Sequence, residues 1–137
     1  MLSTVEKVLF LKSIDLFSQI PGDSLAEVAV IATEESRDAG EEILVEGELG
    51  DALYLILEGR IRLHHGDKAI AELGERECLA EMALLDPRPE VGSATAATAA
   101  QLLRISRQDF QELLVQSPEI ALAIIKVLSR RLRDATR

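Results

Sequence analysis

The spacing of the glycines is the feature that most restricts how this chain can fold. Seven of the eight glycines lie between positions 40 and 92, and the first six of these are three to nine residues apart. Short runs rich in aliphatic residues separate them, a pattern typical of antiparallel strands joined by tight turns. Residues 37–105 are therefore predicted to form an antiparallel barrel or roll.

The strands are predicted in the runs between the turn residues. Residues 60–64 alternate polar and apolar side chains, as expected for a strand with one face in water. Gly50-Asp51, Glu58-Gly59 and Gly66-Asp67 supply turn residues. The predicted strands are residues 43–45, 52–57, 60–65, 69–73, 94–99 and 102–105.

Helices are predicted before the strands, in residues 1–36. Two capping-box patterns, Ser3-x-x-Glu6 and Ser24-x-x-Glu27, each predict side chains that satisfy the free N–H groups of a first helical turn. Pro21-Gly22-Asp23 separates them, so we expect two helices, the second ending near Ala32.

Two more helices are predicted after the strands, in residues 106–137. Ser106-x-x-Asp109 caps the first, and Ser117-Pro118-Glu119 starts the second with an N-cap serine and a proline at the first helical position. The chain of 137 residues is long enough for one domain with its own core. The predicted fold is therefore a single, mainly β domain with flanking helices.

Composition excludes several classes of protein. The hydrophobic fraction of 47% excludes a disordered tail. The longest apolar runs, residues 52–57 and 120–125, are far shorter than the roughly 20 residues that span a bilayer, and no signal peptide is visible. The single cysteine, Cys78, excludes an internal disulfide framework. We therefore expect a cytoplasmic protein without membrane insertion.

The charge is unevenly distributed. Residues 1–100 carry 8 basic and 20 acidic groups, net −12, whereas residues 101–137 carry 7 basic and 4 acidic groups, net +3. A nucleic-acid groove needs clustered Lys and Arg. We therefore expect no nucleic-acid binding by this domain, and we interpret the basic tail as the cationic last turns of a helix.

Residues 78–93 do not fit a plain barrel. Helix-forming residues 80–85 interrupt the strands and precede a loop stiffened by Pro87 and Pro89. A short helix inserted here would present free N–H groups to an anion. The alternative is an ordinary helical crossover that covers one mouth of the barrel, and composition alone favours it.

The chain resembles the cyclic nucleotide-binding domain family, which includes the sensory domain of catabolite activator protein and the regulatory subunits of cAMP-dependent kinase. Residues 13–21 are similar to the family's opening, residues 39–59 to its glycine-punctuated strands and residues 80–85 to its phosphate-binding cassette. The resemblance implies an eight-stranded, jelly-roll-like β-roll (a double-stranded β-helix) with an N-terminal helical bundle and two C-terminal helices. It also implies a regulatory, non-catalytic role.

The resemblance assigns roles to residues of the cassette, here residues 79–93. It places Glu81 at the position that binds the ribose hydroxyl, Ala83 at that of an alanine donating its N–H to the phosphate, and Ser93 at that of a hydroxyl donor, with Met82 also in the cassette.

Two positions depart from the family's pattern. Ala80 stands in place of a glycine and adds a methyl where the backbone must come close to the ligand. Glu90 stands in place of the arginine that pairs with the phosphate. Losing one partner of a buried charge pair costs about 2–5 kcal/mol, and a carboxylate adds repulsion. We therefore expect weak or no binding of cAMP or cGMP and no required cofactor.

Arg88 is the alternative phosphate contact. A two-residue shift in register would bring it to the position of Glu90, but only with a deletion and a compensating insertion. The gapless alignment instead makes Arg88 a solvated loop residue, paired with Asp86 or Glu90.

The apolar face of the predicted last helix indicates a contact between two copies of the chain. In the resembling family this helix commonly dimerises and also covers the nucleotide, so we expect a homodimer. The alternative is that its apolar face packs on its own barrel, and both can hold. Its apolar positions are Ala121, Ile125, Leu128 and Leu132, at the 4-3-4 spacing of a short coiled coil, flanked by Ile120, Ile124 and Val127.

No residues suggest a catalytic or metal site, so no enzyme is predicted. His64 and His65 are adjacent on a predicted strand and point to opposite faces, so we expect a surface pair rather than metal ligands. Cys78 is expected to be a small buried hydrophobic residue rather than a redox-active thiol.

Three hypotheses about function remain. The first is a regulatory module with a degenerate cassette, acting through docking, dimerisation or another ligand. The second is a working cyclic-nucleotide sensor that uses Arg88 or backbone amides for the phosphate. The third is the sensory part of a larger helix-turn-helix regulator, which would need a further domain beyond the last helix.

Overall fold

Two four-stranded antiparallel sheets form the centre of the computed structural model, which describes residues 1–136. One sheet has the strand order β1-β8-β3-β6 and the other β2-β7-β4-β5. The strands are β1 (Ala32–Arg37), β2 (Glu42–Leu44), β3 (Ala52–Glu58), β4 (Ile61–His65), β5 (Lys68–Leu73), β6 (Cys78–Leu79), β7 (Ser93–Ala96) and β8 (Ala100–Ser106).

Two α-helices precede the strands in the sequence, and two follow them. They are α1 (Thr4–Leu11), α2 (Gly22–Ile31), α3 (Arg107–Gln116) and α4 (Pro118–Ala135), with short 3₁₀ helices at Asp15–Phe17 and Glu81–Leu84. The mainly β fold with flanking helices is thus confirmed. No helix in the described part of the chain is long and apolar enough to cross a membrane.

Strand β3 is buried on both faces, which explains why its sequence is continuously apolar. Leu53 and Leu55 belong to a core shared with the helices, whereas Tyr54 and Ile56 belong to a second core between the two sheets. Successive side chains of a strand point to opposite faces, so one strand supplies both cores.

The helical core joins the two ends of the sequence. The rings of Phe17 and Phe110 stack with centroids 5.7 Å apart, and both are fully buried. On α4, Ile120, Ile124 and Val127 are at most 3% exposed and pack in the same core. The final helix is therefore attached to the body by one of its faces.

The N-terminal helical zone ends earlier than predicted. Strand β1 begins at Ala32 and pairs with β8 along its whole length, from Ala32 opposite Ile105 to Arg37 opposite Ala100. Residues 32–36 are therefore strand, and the predicted boundary at residue 36 is wrong. The segment is polar because β1 is an edge strand with much of its surface in water.

One of the four predicted helix caps is wrong, and a second lacks a side-chain hydrogen bond to its helix. Ser3 and Ser106 cap α1 and α3 as expected. Ser24 instead lies inside α2, which begins at Gly22 and has no side-chain cap. Ser117 is the N-cap residue of α4, and Pro118 begins the helix, as predicted. The hydroxyl of Ser117 donates to Glu27 at 2.8 Å and not to its own helix, so it connects α2 to α4.

Candidate functional site

Three neighbouring cavities border the cassette, residues 79–93. The roll cavity, about 360 Å³, lies among strands β2, β4, β5, β6 and β7. The cassette cavity, also about 360 Å³, is bounded by residues 80–91. The loop cavity, about 240 Å³, is bounded mainly by residues 43–51. Glu90 lines all three.

Backbone pairing fixes the position of Glu90. Its N–H donates to the carbonyl of Glu48 at 2.9 Å, and its carbonyl accepts from the N–H of Gly47 at 2.8 Å. A bridge between Leu49 and Pro89 continues this pairing. The loop carrying Glu90 is therefore held against the β2–β3 connection.

The carboxylate of Glu90 packs directly over Gly50. One of its oxygens occupies the space that a Cβ at position 50 would need, so a larger residue at position 50 would displace the carboxylate. Partial burial raises the pKa of Glu90. Among residues 1–136, no side chain forms an ion pair with it.

Arg88 lies outside this arrangement. Its Nε is 3.2 Å from Oδ2 of Asp86, and the two side chains are 79% and 65% exposed. Although Arg88 borders the cassette cavity, its partner is a solvated carboxylate. The structure thus agrees with the interpretation of Arg88 as a loop residue paired with Asp86.

Ala80 adopts the left-handed backbone conformation, with φ 57° and ψ 36°. This conformation is costly for any residue with a Cβ, which gives a physical reason for a glycine at this position. Ala80 borders both the roll cavity and the cassette cavity. Its carbonyl accepts the N–H of Ala83 at 3.0 Å, so that amide is already bonded within the 3₁₀ turn.

The carboxylate of Glu81 is held by the last helix. Its Oε1 accepts from Nη1 of Arg131 at 2.8 Å, and Arg131 also donates to Oδ2 of Asp15 at 2.9 Å. Hydrogen bonding to Arg131 is the main cause of the lowered pKa of Asp15. Sequence reasoning missed Asp15 and Arg131 as partners of the cassette, because they lie far from it in the chain.

The other cassette residues are divided between the cavities. Ser93 is 9% exposed and lines the roll cavity, and its Oγ accepts from the N–H of Glu46 at 2.9 Å. Met82 is exposed and lines the cassette cavity. The structure therefore brings Ala80, Glu90 and Ser93 to one cavity, whereas Glu81 does not line it.

The two histidines are not the surface pair that was expected. His64 is 8% exposed, with Nδ1 2.6 Å from the carbonyl of Gly66 and Nε2 2.7 Å from Oγ1 of Thr95. A carbonyl can only accept, so Nδ1 carries a proton and, in the neutral ring, Nε2 accepts from Thr95. His65 is exposed.

Cys78 packs against the helical core from strand β6. Burial, with a smaller contribution from the charge of Glu81, raises the pKa of its thiol to about 12. The thiol is therefore protonated at neutral pH, as suits the small buried residue that was predicted. Within residues 1–136, no group of three His, Cys, Asp or Glu side chains is placed to hold a metal ion.

The residues predicted for dimer and lid contacts on α4 separate into two faces. Ile124 is 3% exposed and belongs to the chain's own core, so it is unavailable to a partner. Leu128 is partly buried against the same core, and Ala121 is half-buried. Ile125 and Leu132 point outward, 55% and 67% exposed.

Replacing Ala80 with glycine should stabilise the fold. Glycine removes the left-handed strain of about 1–2 kcal/mol, offset in part by greater entropy of the unfolded chain. We expect the free energy of unfolding, measured by urea denaturation, to rise by about 0.5–1 kcal/mol. Ala83→Gly, at a right-handed position in the same segment, should instead lower it by about 1 kcal/mol. A destabilised Ala80→Gly variant would contradict this account.

Replacing Glu90 with glutamine should change how stability depends on pH. Because the pKa of Glu90 is higher in the folded state than its ordinary value of 4.5, ionisation destabilises the fold as pH rises through that interval. Glu90→Gln should therefore gain stability relative to the natural chain from pH 4 to pH 7. Urea denaturation at both pH values measures this gain, and equal differences at both would contradict it. Glu112→Gln, at an exposed position on α3, is the control.

Comparison with known proteins identifies the fold and its relatives. The sequence profile described as "Cyclic nucleotide-binding domain" matches residues 34–117. The cyclic AMP receptor protein of Thermus thermophilus is 39% identical over 101 residues, which are 70% of this chain and 47% of that protein. A cyclic nucleotide-gated potassium channel of Rhizobium etli is 34% identical over 119 residues, covering 87% of this chain and 33% of the channel.

A solved structure matches nearly the full chain. The N-terminal domain of a transcriptional regulator from Streptomyces coelicolor superposes with a TM-score of 0.85 at 31% identity, covering 93% of this chain and 92% of that one. The curated relatives named above are longer, and this chain spans about half of one and a third of the other. The profile match, the identities and the shared roll establish that this chain belongs to the cyclic nucleotide-binding domain family.

Proposed function

We propose that this domain is a non-catalytic, cytoplasmic regulatory module whose cavity binds cAMP and cGMP weakly or not at all. The observation that carries the proposal is that Glu90, an acidic residue, lines three neighbouring cavities. No Lys or Arg in the described chain lines the roll cavity. A cyclic phosphate would therefore meet a negative group without a guanidinium to neutralise it.

The other groups expected to hold a nucleotide are already engaged. The carboxylate of Glu81 binds Arg131, and the N–H of Ala83 binds the carbonyl of Ala80. Binding a ribose and a phosphate would have to break both contacts, at a cost in affinity. These contacts also weigh against a sensor that relies on backbone amides.

The net negative charge around the cavities also opposes the binding of a cyclic nucleotide. Residues 1–100, which contain all three cavities, carry a net charge of −12. Such a field lowers the local concentration of anions and slows their association. Arg88 offsets it little, because it is largely exposed and bound to Asp86.

A second candidate is the sensory part of a larger regulatory protein, with a partner domain outside this chain. The near-complete overlap with the N-terminal domain of a transcriptional regulator favours it. In either case α4 is the element that transmits a change in the cassette to a partner, because Arg131 on α4 binds Glu81 in the cassette. A ligand that displaced this contact would shift the population of α4 positions. We propose no contact of the domain itself with nucleic acid.

Calorimetric titration with cAMP and cGMP tests the proposal. The natural chain should give no saturable binding at micromolar ligand, because its cavity lacks the cation. Glu90→Arg should bind at least about 30-fold more tightly, the lower limit for restoring a buried charge pair. Micromolar binding by the natural chain would refute the proposal.

Two further variants separate the explanations. Glu112→Arg makes the same change in net charge at an exposed position on α3 and should gain no binding. A gain there would show that the overall field, and not position 90, decides affinity. If the natural chain binds and Arg88→Ala abolishes binding, the sensor hypothesis based on Arg88 is correct.

We further propose a homodimer formed through the outward face of α4. Ala121, Ile125, Leu128 and Leu132 keep the 4-3-4 spacing that allows two identical helices to pack together. The neighbouring Leu122 adds to this face, since its side chain is 55% exposed. The occupant proposed is a second copy of the chain, because the spacing is self-complementary.

Sedimentation velocity at tens of micromolar, the concentration range of modest interfaces, tests the dimer. The natural chain should sediment as a dimer, and Ile125→Asp should sediment as a monomer, because the carboxylate would be buried at the contact. Val115→Asp makes the same kind of change on α3, where Val115 is 82% exposed, and should leave the dimer intact. A monomeric natural chain would overturn the proposal.

A further inference from the structure

A fourth cavity lies between the β2–β3 connection and the start of α3. We call it the α3 cavity, and its volume is about 440 Å³. It adjoins the loop cavity, since Leu49, Gly50 and Asp51 line both, but its other walls differ. It is lined by Leu49, Gly50, Asp51, Pro87, Arg104, Ser106, Arg107 and Gln108.

Arg107 has a buried donor without an acceptor. Its Nε is the only buried side-chain nitrogen or oxygen within residues 1–136 that lacks a hydrogen-bond partner. The guanidinium forms no ion pair with any described residue, although its backbone N–H donates to the carbonyl of Asp51 at 2.7 Å. Buried polar groups in proteins are generally hydrogen-bonded. The Arg107 guanidinium lines the cavity and has no partner in the described part of the chain, so its terminal N–H groups can bind an external acceptor.

Arg104 supplies a second guanidinium to the same cavity, and its partners are weak. Its Nη2 is 3.6 Å from Oδ1 of Asp51, a carboxylate that is 78% exposed. Its Nε is 3.4 Å from the hydroxyl of Tyr54, beyond the usual length of a strong hydrogen bond. Several donors of Arg104 therefore remain available.

The balance of charge favours an anionic ligand here. Two guanidinium groups face one solvated carboxylate, which leaves a local charge of +1 on a body that is otherwise strongly negative. Guanidinium groups bind oxyanions through paired N–H donors, and two of them match the several oxygens of a phosphate group. The volume lies within the range of small-molecule sites.

We infer that the α3 cavity binds the phosphate group of a small molecule, with Arg104 and Arg107 as its ligands. The phosphate oxygens accept hydrogen bonds from the terminal N–H groups of the Arg107 guanidinium and from the free donors of Arg104. Asp51 opposes this binding by repulsion. The site is separate from the roll cavity and does not depend on whether a cyclic nucleotide binds there.

Titration of the natural chain with inorganic phosphate tests the site, with ionic strength held constant by chloride and binding followed by NMR of the backbone amides. We expect saturable shifts in the millimolar range, centred on residues 49–51 and 104–108. Arg107→Gln and Arg104→Gln should each weaken binding by about 10-fold or more, as expected for lost charged hydrogen bonds. Asp51→Asn should strengthen it, because the repulsion is removed.

Control variants and a second anion decide what a result means. Arg133→Gln makes the same charge change on exposed α4 and should leave phosphate affinity unchanged. Arg107→Lys keeps the charge but loses the paired donors, so it should bind more weakly than the natural chain even where Arg107→Gln fails to fold. Equal losses in Arg133→Gln, unsaturable shifts, or acetate binding as tightly as phosphate would each overturn the inference.

Discussion

The pairing of β3 with β8 is the constraint on which the rest of the molecule depends. Both strands are buried between a helical core and a core inside the roll, with Leu53 opposite Ile105 and Leu55 opposite Leu103. The same pairing sets the ends of the two strands side by side, where Asp51 accepts the N–H of Arg107. The loop cavity and the α3 cavity both form at this point because strands and loops converge there.

Contacts from other parts of the chain fix the positions of Glu81 and Glu90 in the cassette. Arg131 on α4 holds Glu81, and the 47–49 loop holds Glu90 by backbone hydrogen bonds. Glu90 lines three neighbouring cavities, and burial raises the pKa of its carboxylate. The roll tolerates a carboxylate at position 90 because the strands and helices, and not the cassette, provide most of the buried apolar residues.

Local patterns in the sequence predicted much of the fold and part of the site. The glycine spacing predicted most strands to within a few residues, and the segment singled out as the cassette contains Glu90, which lines three cavities. Strand β1, Ala32–Arg37, was missed because an edge strand needs few apolar residues. Ser24 was misinterpreted as a cap, and Ser117 is the N-cap residue without a side-chain hydrogen bond to its helix. The hydroxyls of both residues instead join α2 to α4, and no local pattern in the sequence shows such long-range partners.

The sequence by itself determined the class of fold, the family and the charge at position 90, since periodicity, turn residues and motif spacing are local properties. Only the tertiary structure decided which groups are in contact. It pairs Arg131 with Glu81 and leaves Nε of Arg107 without an acceptor. It also buries Ile124 in the core, whereas Ile125 faces outward. The physical reason is that hydrogen bonding, desolvation and burial depend on distances between residues far apart in the chain, which no local pattern records.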